Sequence, residues 1–404
     1  MGRRMIVIFV LALVVRLAVV VATGDYVPRH DDRDYDRIAW SMAQGHGYPP
    51  LRVGRDPHVW ADAYRPPLWP AVLGAVYAVA GHRLAPARVA QAVIGALGTV
   101  ALSWLALRLL SARAAWWAGI FGAVYLPLAL VASSLLSETL FVALELIALA
   151  LALEARARGR APALAAAAGG AAALAALTRF NGILLLAAVL PLVRSRGQRV
   201  AALAAFVLVV APWTVRNAVE LHAFVPVSTE SGTTLVGTYN LQSMTDRAAP
   251  GSWQPLHHGG VARLAHEDLP PAVRDADLRD AALRFVERHP AYPLAVAANN
   301  LRRWLDLAGF ARARFEAHTA DVRGPWVAAM LPFAWTLAAL ATVGIVTGAA
   351  RGTPPAFWLA PALLLASTLL VNAETPRFRA PIDPFLILLA VAAVPGLRHA
   401  KDSG

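Results

Sequence analysis

Residues 24–48 read GDYVPRHDDRDYDRIAWSMAQGHGY and, after a variable piece, residues 61–70 read ADAYRPPLWP. Asp25, Asp31, Asp32, Asp34 and Asp36 crowd together directly behind an apolar run from Met5 to Thr23. Around that stretch the chain is strongly apolar: of 404 residues, 58% are hydrophobic and 15% charged, with a mean hydropathy of +0.53. Such a balance lies outside the range of soluble globular proteins and indicates an all-α polytopic membrane protein. Carboxylates gathered at the edge of an apolar span are the feature that asks for an explanation.

Working outward, apolar runs of spanning length fall at about 5–23, 86–110, 114–132, 138–154, 161–177, 180–193, 200–217, 326–348, 355–371 and 383–397. The first follows Arg3 and Arg4 without a clear small-residue cleavage site, so it reads as a retained helix rather than a signal peptide. The run 67–80 is short and is placed as a helix in the outer interface. Arg108, Arg113, Arg156, Arg158, Arg160, Arg194, Arg196, Arg199, Arg351, Arg398 and Lys401 then share one side with Arg3 and Arg4, as positively charged cytoplasmic loops require. The expected organisation is ten spans with both termini cytoplasmic, a module at 1–217 with a first outer loop at 24–85, an extracytoplasmic segment at 218–325, and C-terminal spans at 326–404. Within the second segment, 270–289 and 294–307 show helical periodicity, the latter expected on the membrane surface.

The formal net charge of +12 is accounted for by those loops, and no soluble basic face remains to bind nucleic acid. Cysteine is absent, which excludes disulfides and thiolate metal sites. A helix starting near Asp31 puts Tyr35, Ile38, Ala39 and Met42 on one face and predicts an amphipathic helix lying on the membrane. Asp31 and Asp32 at its first turn fit two roles: caps on free amides, or a general base held at the bilayer surface where a lipid-borne and a water-borne substrate meet.

These residues resemble a family. Asp31 and Asp32 before Tyr35, then Ala39, Gly45-x-Gly47-Tyr48 and Tyr64-Arg65-Pro66-Pro67-Leu68-Trp69-Pro70, look like the first outer loop of the C-type integral-membrane glycosyltransferases that use polyprenyl-phosphate sugars. The likeness is to the group containing lipid A aminoarabinose transferases and protein mannosyltransferases. Ser137-Glu138-Thr139-Leu140-Phe141 resembles the acidic motif of a later span, and Leu177-Thr178-Arg179-Phe180-Asn181-Gly182 a Thr-Arg-Pro-x-Gly turn with Phe180 in place of proline. Ala211-Pro212-Trp213-Thr214-Val215-Arg216-Asn217 and Glu374-Thr375-Pro376-Arg377-Phe378-Arg379-Ala380-Pro381 complete the order.

The resemblance implies sugar transfer from a polyprenyl-phosphate donor to a lipid, glycan or protein acceptor in the cell membrane, on the extracytoplasmic face and with inversion. Asp31 is the expected base and Asp32 its reserve. Arg377, Arg379 and Arg216 are expected to hold the leaving phosphate, while Tyr35, Tyr64, Arg65, Glu138 and Arg179 position substrates. No metal ligand set is assigned, although five aspartates in one loop keep a divalent cation open. His30, and the adjacent pair His257 and His258, are weaker candidates for such an ion. Arg16, in the middle of the first span, is expected to face the bundle and pair with an acid. Two rivals are a polymerase or ligase of lipid-linked polysaccharide, with its chemistry in a late outer loop, and a transporter built from two matching halves.

Overall fold

The computed structural model describes residues 2–52, 59–256, 269–394 and 396–397, and these are mostly helical. His257, His258, Arg398 and Lys401 lie outside the described residues. In chain order the helices are α1 Gly2–Ala22, α2 Asp31–Ala43, α3 Leu68–Ala80, α4 Leu84–Leu109, α5 Ala112–Val124, α6 Leu126–Val131, α7 Glu138–Arg158, α8 Pro162–Thr178 and α9 Leu184–Leu192. They continue with α10 Arg196–Glu220, α11 Ser231–Thr238, α12 Leu241–Thr245, α13 Pro271–Arg288, α14 Tyr292–Trp304, α15 Phe310–Ala317, α16 Gly324–Val346, α17 Leu359–Val371 and α18 Asp383–Ala393. A two-stranded antiparallel hairpin pairs Leu51 with Trp60 and Arg52 with Val59.

Helices α1, α4, α10 and α16 are each long and apolar enough to cross a membrane unaided. Other predicted spans are shorter or broken. The run 114–132 divides at Tyr125, because Pro127 in the first turn of α6 has no N–H to continue the ladder. The run 180–193 begins as a 3₁₀ turn before α9, and 355–371 begins as another before α17. Helix α3 has 13 residues, roughly 20 Å at 1.5 Å per residue, which is short of a hydrocarbon core of about 30 Å.

Small residues set how closely the helices pack, because lipid gives helices in a bilayer no hydrophobic reason to associate. The Ala-rich α8 is the clearest case: it lies between α7 and α10, and a Cβ on Gly169 would sit 2.0 Å from the carbonyl oxygen of Ala202. Gly98 meets Ala143 on α7, and Gly344 meets the backbone of Leu389 on α18. A separate apolar cluster joins α11, α13 and α14 through Val236, Tyr239, Leu278, Ala282, Tyr292 and Val296.

Three expectations need correction. The apolar face of α2 does not rest on lipid: Tyr35 and Ala39 pack against Trp69, Leu73 and Tyr77 of α3, and the missing side chain of Gly74 lets the two backbones touch. Periodicity revealed that face without revealing what covers it. Likewise α14 turns Val296, Asn300, Arg303 and Trp304 inward, and Arg303 binds the carbonyls of Pro250 and Gly251. Arg16 is buried as expected, yet no acid among the described residues pairs with it; its Nη1 donates to the Ala12 carbonyl at 3.2 Å, one turn back along α1.

The glycine contacts make a paired test. Gly169→Ala forces a backbone shift at the α8–α10 contact and is expected to destabilise by about 1–3 kcal/mol. At neighbouring Gly170 nothing lies within 4 Å of the added Cβ, so Gly170→Ala is expected to be neutral or stabilising by up to about 1 kcal/mol through helix propensity. Thermal melting of the two proteins in the same detergent measures the difference.

Candidate active site

The turn entering α2 decides which aspartate faces where. The Asp32 carboxylate accepts the backbone N–H groups of Arg29, His30 and Arg33 at 2.8–3.0 Å and the Tyr26 hydroxyl at 2.6 Å. The Tyr26 oxygen in turn accepts the N–H of Leu135. Asp32 is fully buried and spent on closing this turn. Its neighbour Asp31 points the other way, into a group of ion pairs, with 28% of its side chain exposed.

A second turn delivers Arg65. Gly45 and Gly47 adopt positive φ of 79° and 71°, a conformation that Gly tolerates and most residues do not, and they bring Tyr48 back over the chain. The Tyr48 hydroxyl donates to the Arg65 carbonyl at 2.9 Å and accepts the Arg65 N–H at 3.0 Å. Arg65 is thereby held by its backbone while its guanidinium spans three acids: Asp31, Asp34 at 3.0 Å and Glu230 at 2.6 Å. The rings of Tyr64 and Tyr35 lie 4.8 and 5.5 Å from it, where their negative faces favour the cation.

On its other side Asp31 pairs with Arg377, from the 3₁₀ turn Arg377–Arg379. Arg377 also binds Glu138, the first residue of α7, at 2.5 Å, and Glu138 binds Arg179 at 2.5 Å. Phe378 lies 5.0 and 5.3 Å from the Arg377 and Arg179 guanidiniums. The result is an alternating row, Glu230, Arg65, Asp31, Arg377, Glu138, Arg179, drawn from six separate parts of the chain. Tyr35 borders it through its hydroxyl, 3.2 Å from Ser137 Oγ.

Two predicted phosphate ligands are not in this row. Residues two apart on a three-residue turn diverge, so Arg379 leaves Arg377 and pairs with Asp306 at 2.5 Å and Asp383 at 3.3 Å. Arg216 donates to the Asp62 carbonyl at 2.7 Å and lies over Trp213 and Tyr48, so it braces the loop that carries Arg65. Glu230 is a member the sequence did not disclose. It precedes α11 in no recognisable motif, and its partner is far away in the chain.

The electrostatics follow from burial set against pairing. Burial pushes Asp31 up, but the guanidiniums of Arg377 and Arg65 outweigh it and hold the carboxyl well below the usual range. Burial raises Glu230, and Arg65 only partly offsets it. Tyr35 is pushed up to about 12 by burial, so its hydroxyl keeps its proton. A divalent ion does not fit: both Asp31 oxygens face guanidiniums, the three acids that meet here meet on Arg65, and no group of three acids or imidazoles among the described residues is placed to hold a metal ion. His30 turns its ring toward His318, 3.0 Å away, rather than toward Asp31.

No protein-family model matches the sequence, nor does any curated protein. Among solved structures, the chain is similar to the archaeal oligosaccharyltransferase AglB from Archaeoglobus fulgidus, in complex with an inhibitory peptide and a dolichol-phosphate. That likeness has a TM-score of 0.56 at 13% identity, over 96% of this chain and 50% of the other. The same oligosaccharyltransferase tethered with an acceptor peptide gives a TM-score of 0.56 at 14% identity, over 96% and 49%. ArnT from Cupriavidus metallidurans, bound to undecaprenyl phosphate, is a looser match at a TM-score of 0.45 and 17% identity, over 95% and 76%. The chain spans about half the length of the archaeal enzyme, and what it shares with it is the fold.

Removing Arg377 leaves Asp31 and Glu138 facing each other with their shared cation gone, so Arg377→Met is expected to destabilise by about 3–5 kcal/mol, read as a fall in melting temperature. A second prediction concerns Asp321, whose carboxyl is pushed up to about 8, first by burial and then by the adjoining Asp32 carboxylate. The folded chain then holds a proton that the unfolded chain releases above its ordinary value of 3.8. This contribution is complete below that value and is lost as pH rises through 8. Asp321→Asn is therefore expected to flatten the decline of melting temperature between about pH 4 and 8.

Proposed function

We propose that the chain is a glycosyltransferase that moves a sugar from a polyprenyl-phosphate donor to an acceptor at the extracytoplasmic face of the membrane. Asp31 deprotonates the acceptor hydroxyl or amine, which attacks the anomeric carbon opposite the phosphate and inverts that centre. One observation carries the reading: a single partly exposed carboxylate sits between two buried guanidiniums, Arg65 and Arg377, which come from opposite ends of the chain.

The phosphate contacts are assigned to Arg377 and Arg65, with Arg179 next in the row. Their forked N–H groups match phosphate oxygens and would stabilise charge developing on the departing lipid. Arg216 and Arg379 act at one remove, bracing the Arg65 loop and anchoring the turn at residues 377–379. As long as both guanidiniums face Asp31 it is a weak base. Once the donor phosphate takes over those contacts, the carboxylate recovers basicity where the acceptor arrives. The prenyl-phosphate class is also supported by the fold neighbour, since AglB was solved with a dolichol-phosphate.

The sidedness is part of the proposal, as are the ten spans and the organisation into 1–217, 218–325 and 326–404. Glu138 opens α7 in the charged row, and Arg156 and Arg158 close it, about 30 Å away at 1.5 Å per residue. Row and basic turn thus occupy opposite ends of one helix, and basic turns favour the cytoplasm.

The test reconstitutes the chain with donor lipids extracted from its source membranes and follows polyprenyl-phosphate release by mass spectrometry. Asp31→Asn is expected to lower turnover about 10²–10⁴-fold, the usual worth of a general base. Asp32→Asn is expected to lower the yield of folded protein while the surviving fraction stays active. Undiminished turnover in the Asp31→Asn protein would rule the mechanism out.

A further inference from the structure

A cavity lies apart from the charged row. It has a volume of about 750 Å³ and opens between the end of α1, α6, α15 and the start of α16. Of the row's members none lines it. Such a volume suits a bound headgroup with part of its chain.

Its polar lining is cationic. Arg29 and Arg314 both line it and come from distant parts of the sequence; neither is in an ion pair among the described residues, although Arg29 lies near enough to the Asp321 carboxyl to act on it. Arg323 is a third cation, in an exposed pair with Asp25. The remaining acid of the lining, Asp321, adjoins Asp32 and keeps its proton up to about pH 8. Two guanidiniums thus line the cavity outside any ion pair, beside the imidazoles of His30 and His318.

The rest of the wall is apolar and borders span-length helices. Phe315 and Val27 are 66% and 52% exposed, and Trp326 stands in the first turn of α16. An aromatic and apolar rim beside unpaired arginines, where α1 ends and α16 begins, is the chemistry of a lipid headgroup site at a membrane interface.

We propose that this cavity binds the phosphate headgroup of a membrane amphiphile, gripped by Arg29 and Arg314, with its chain leaving past Phe315 and Trp326. The site shares no residue with the proposed phosphate contacts of sugar transfer, and its existence does not rest on that activity.

The test places the full chain in phosphatidylcholine nanodiscs and titrates it with dioctanoyl phosphatidic acid. Saturable binding is expected in the wild type, weakened about tenfold or more in the Arg29→Gln/Arg314→Gln protein, the loss of two charge-assisted contacts. Inorganic phosphate at equal concentration is expected not to compete. Equal competition would overturn the lipid source, and unchanged affinity in the double variant would overturn the site. Should that variant fail to fold, a photoreactive phosphatidic acid on the wild-type chain decides: adducts within residues 23–30, 130–133 or 311–326, which line the cavity, support the proposal, and adducts confined elsewhere refute it.

Discussion

Arg377 bridging Asp31 and Glu138 is the interaction on which the rest depends. Each of the three is largely out of water, and a buried charge stripped of its partner costs several kcal/mol against a total stability of about 5–15 kcal/mol for a typical domain. The start of α2, the start of α7 and the turn at residues 377–379 are therefore fixed relative to one another. Arg65 extends the constraint to the loop between α2 and α3 and, through Glu230, to the segment before α11. An anionic ligand entering this row cannot simply add to it. Every guanidinium already has a carboxylate, so binding has to be an exchange of one anion for another.

Behind that row the bundle is fixed by small residues rather than by large interlocking ones. Gly169, Gly98 and Gly344 allow backbone contact where α8, α4 and α16 meet their neighbours, and the alanines of α8 leave nothing protruding to hold α7 or α10 away. Close helices at this level set where Glu138 and Arg179 emerge, one at the start of α7 and the other just past the end of α8. A shift of one helix by an ångström would separate a 2.5 Å ion pair. The Ala-rich stretch thus has a consequence at the site, although it carries no chemistry of its own.

The helices were legible because periodicity and the scarcity of charge are local properties. So was much of the row: Asp31, Arg65, Glu138, Arg179 and Arg377 stood in motifs whose order suggested one family, and charge patterning put them on one side. What could not be read is what depends on direction or distance. Adjacent aspartates look equivalent in sequence, yet the backbone at His30 sends Asp32 into amides and Asp31 into guanidiniums. Arg377 and Arg379 look like a pair until a 3₁₀ turn separates them. Glu230 meets Arg65 across a long stretch of chain, with no spacing that could announce it.

The charge balance of the row suggests how the exchange proceeds on the glycosyl-transfer reading. Asp31, Asp34, Glu138 and Glu230 carry four potential negative charges against the three guanidiniums of Arg65, Arg377 and Arg179. A phosphate entering this group would deepen the excess unless one carboxylate withdrew or took a proton. Asp31 is the worst candidate for protonation, since two cations hold it low, and Glu138 is locked between two arginines. Glu230 is the best: burial already raises it, its one cation is shared with two other acids, and it sits at the mouth of α11 rather than on α2. Protonating or displacing Glu230 would free one arm of Arg65 for a phosphate oxygen, the first step by which the phosphate takes over the guanidinium contacts of Asp31. The acid most remote from the motifs is thus the one whose charge the incoming donor would have to replace.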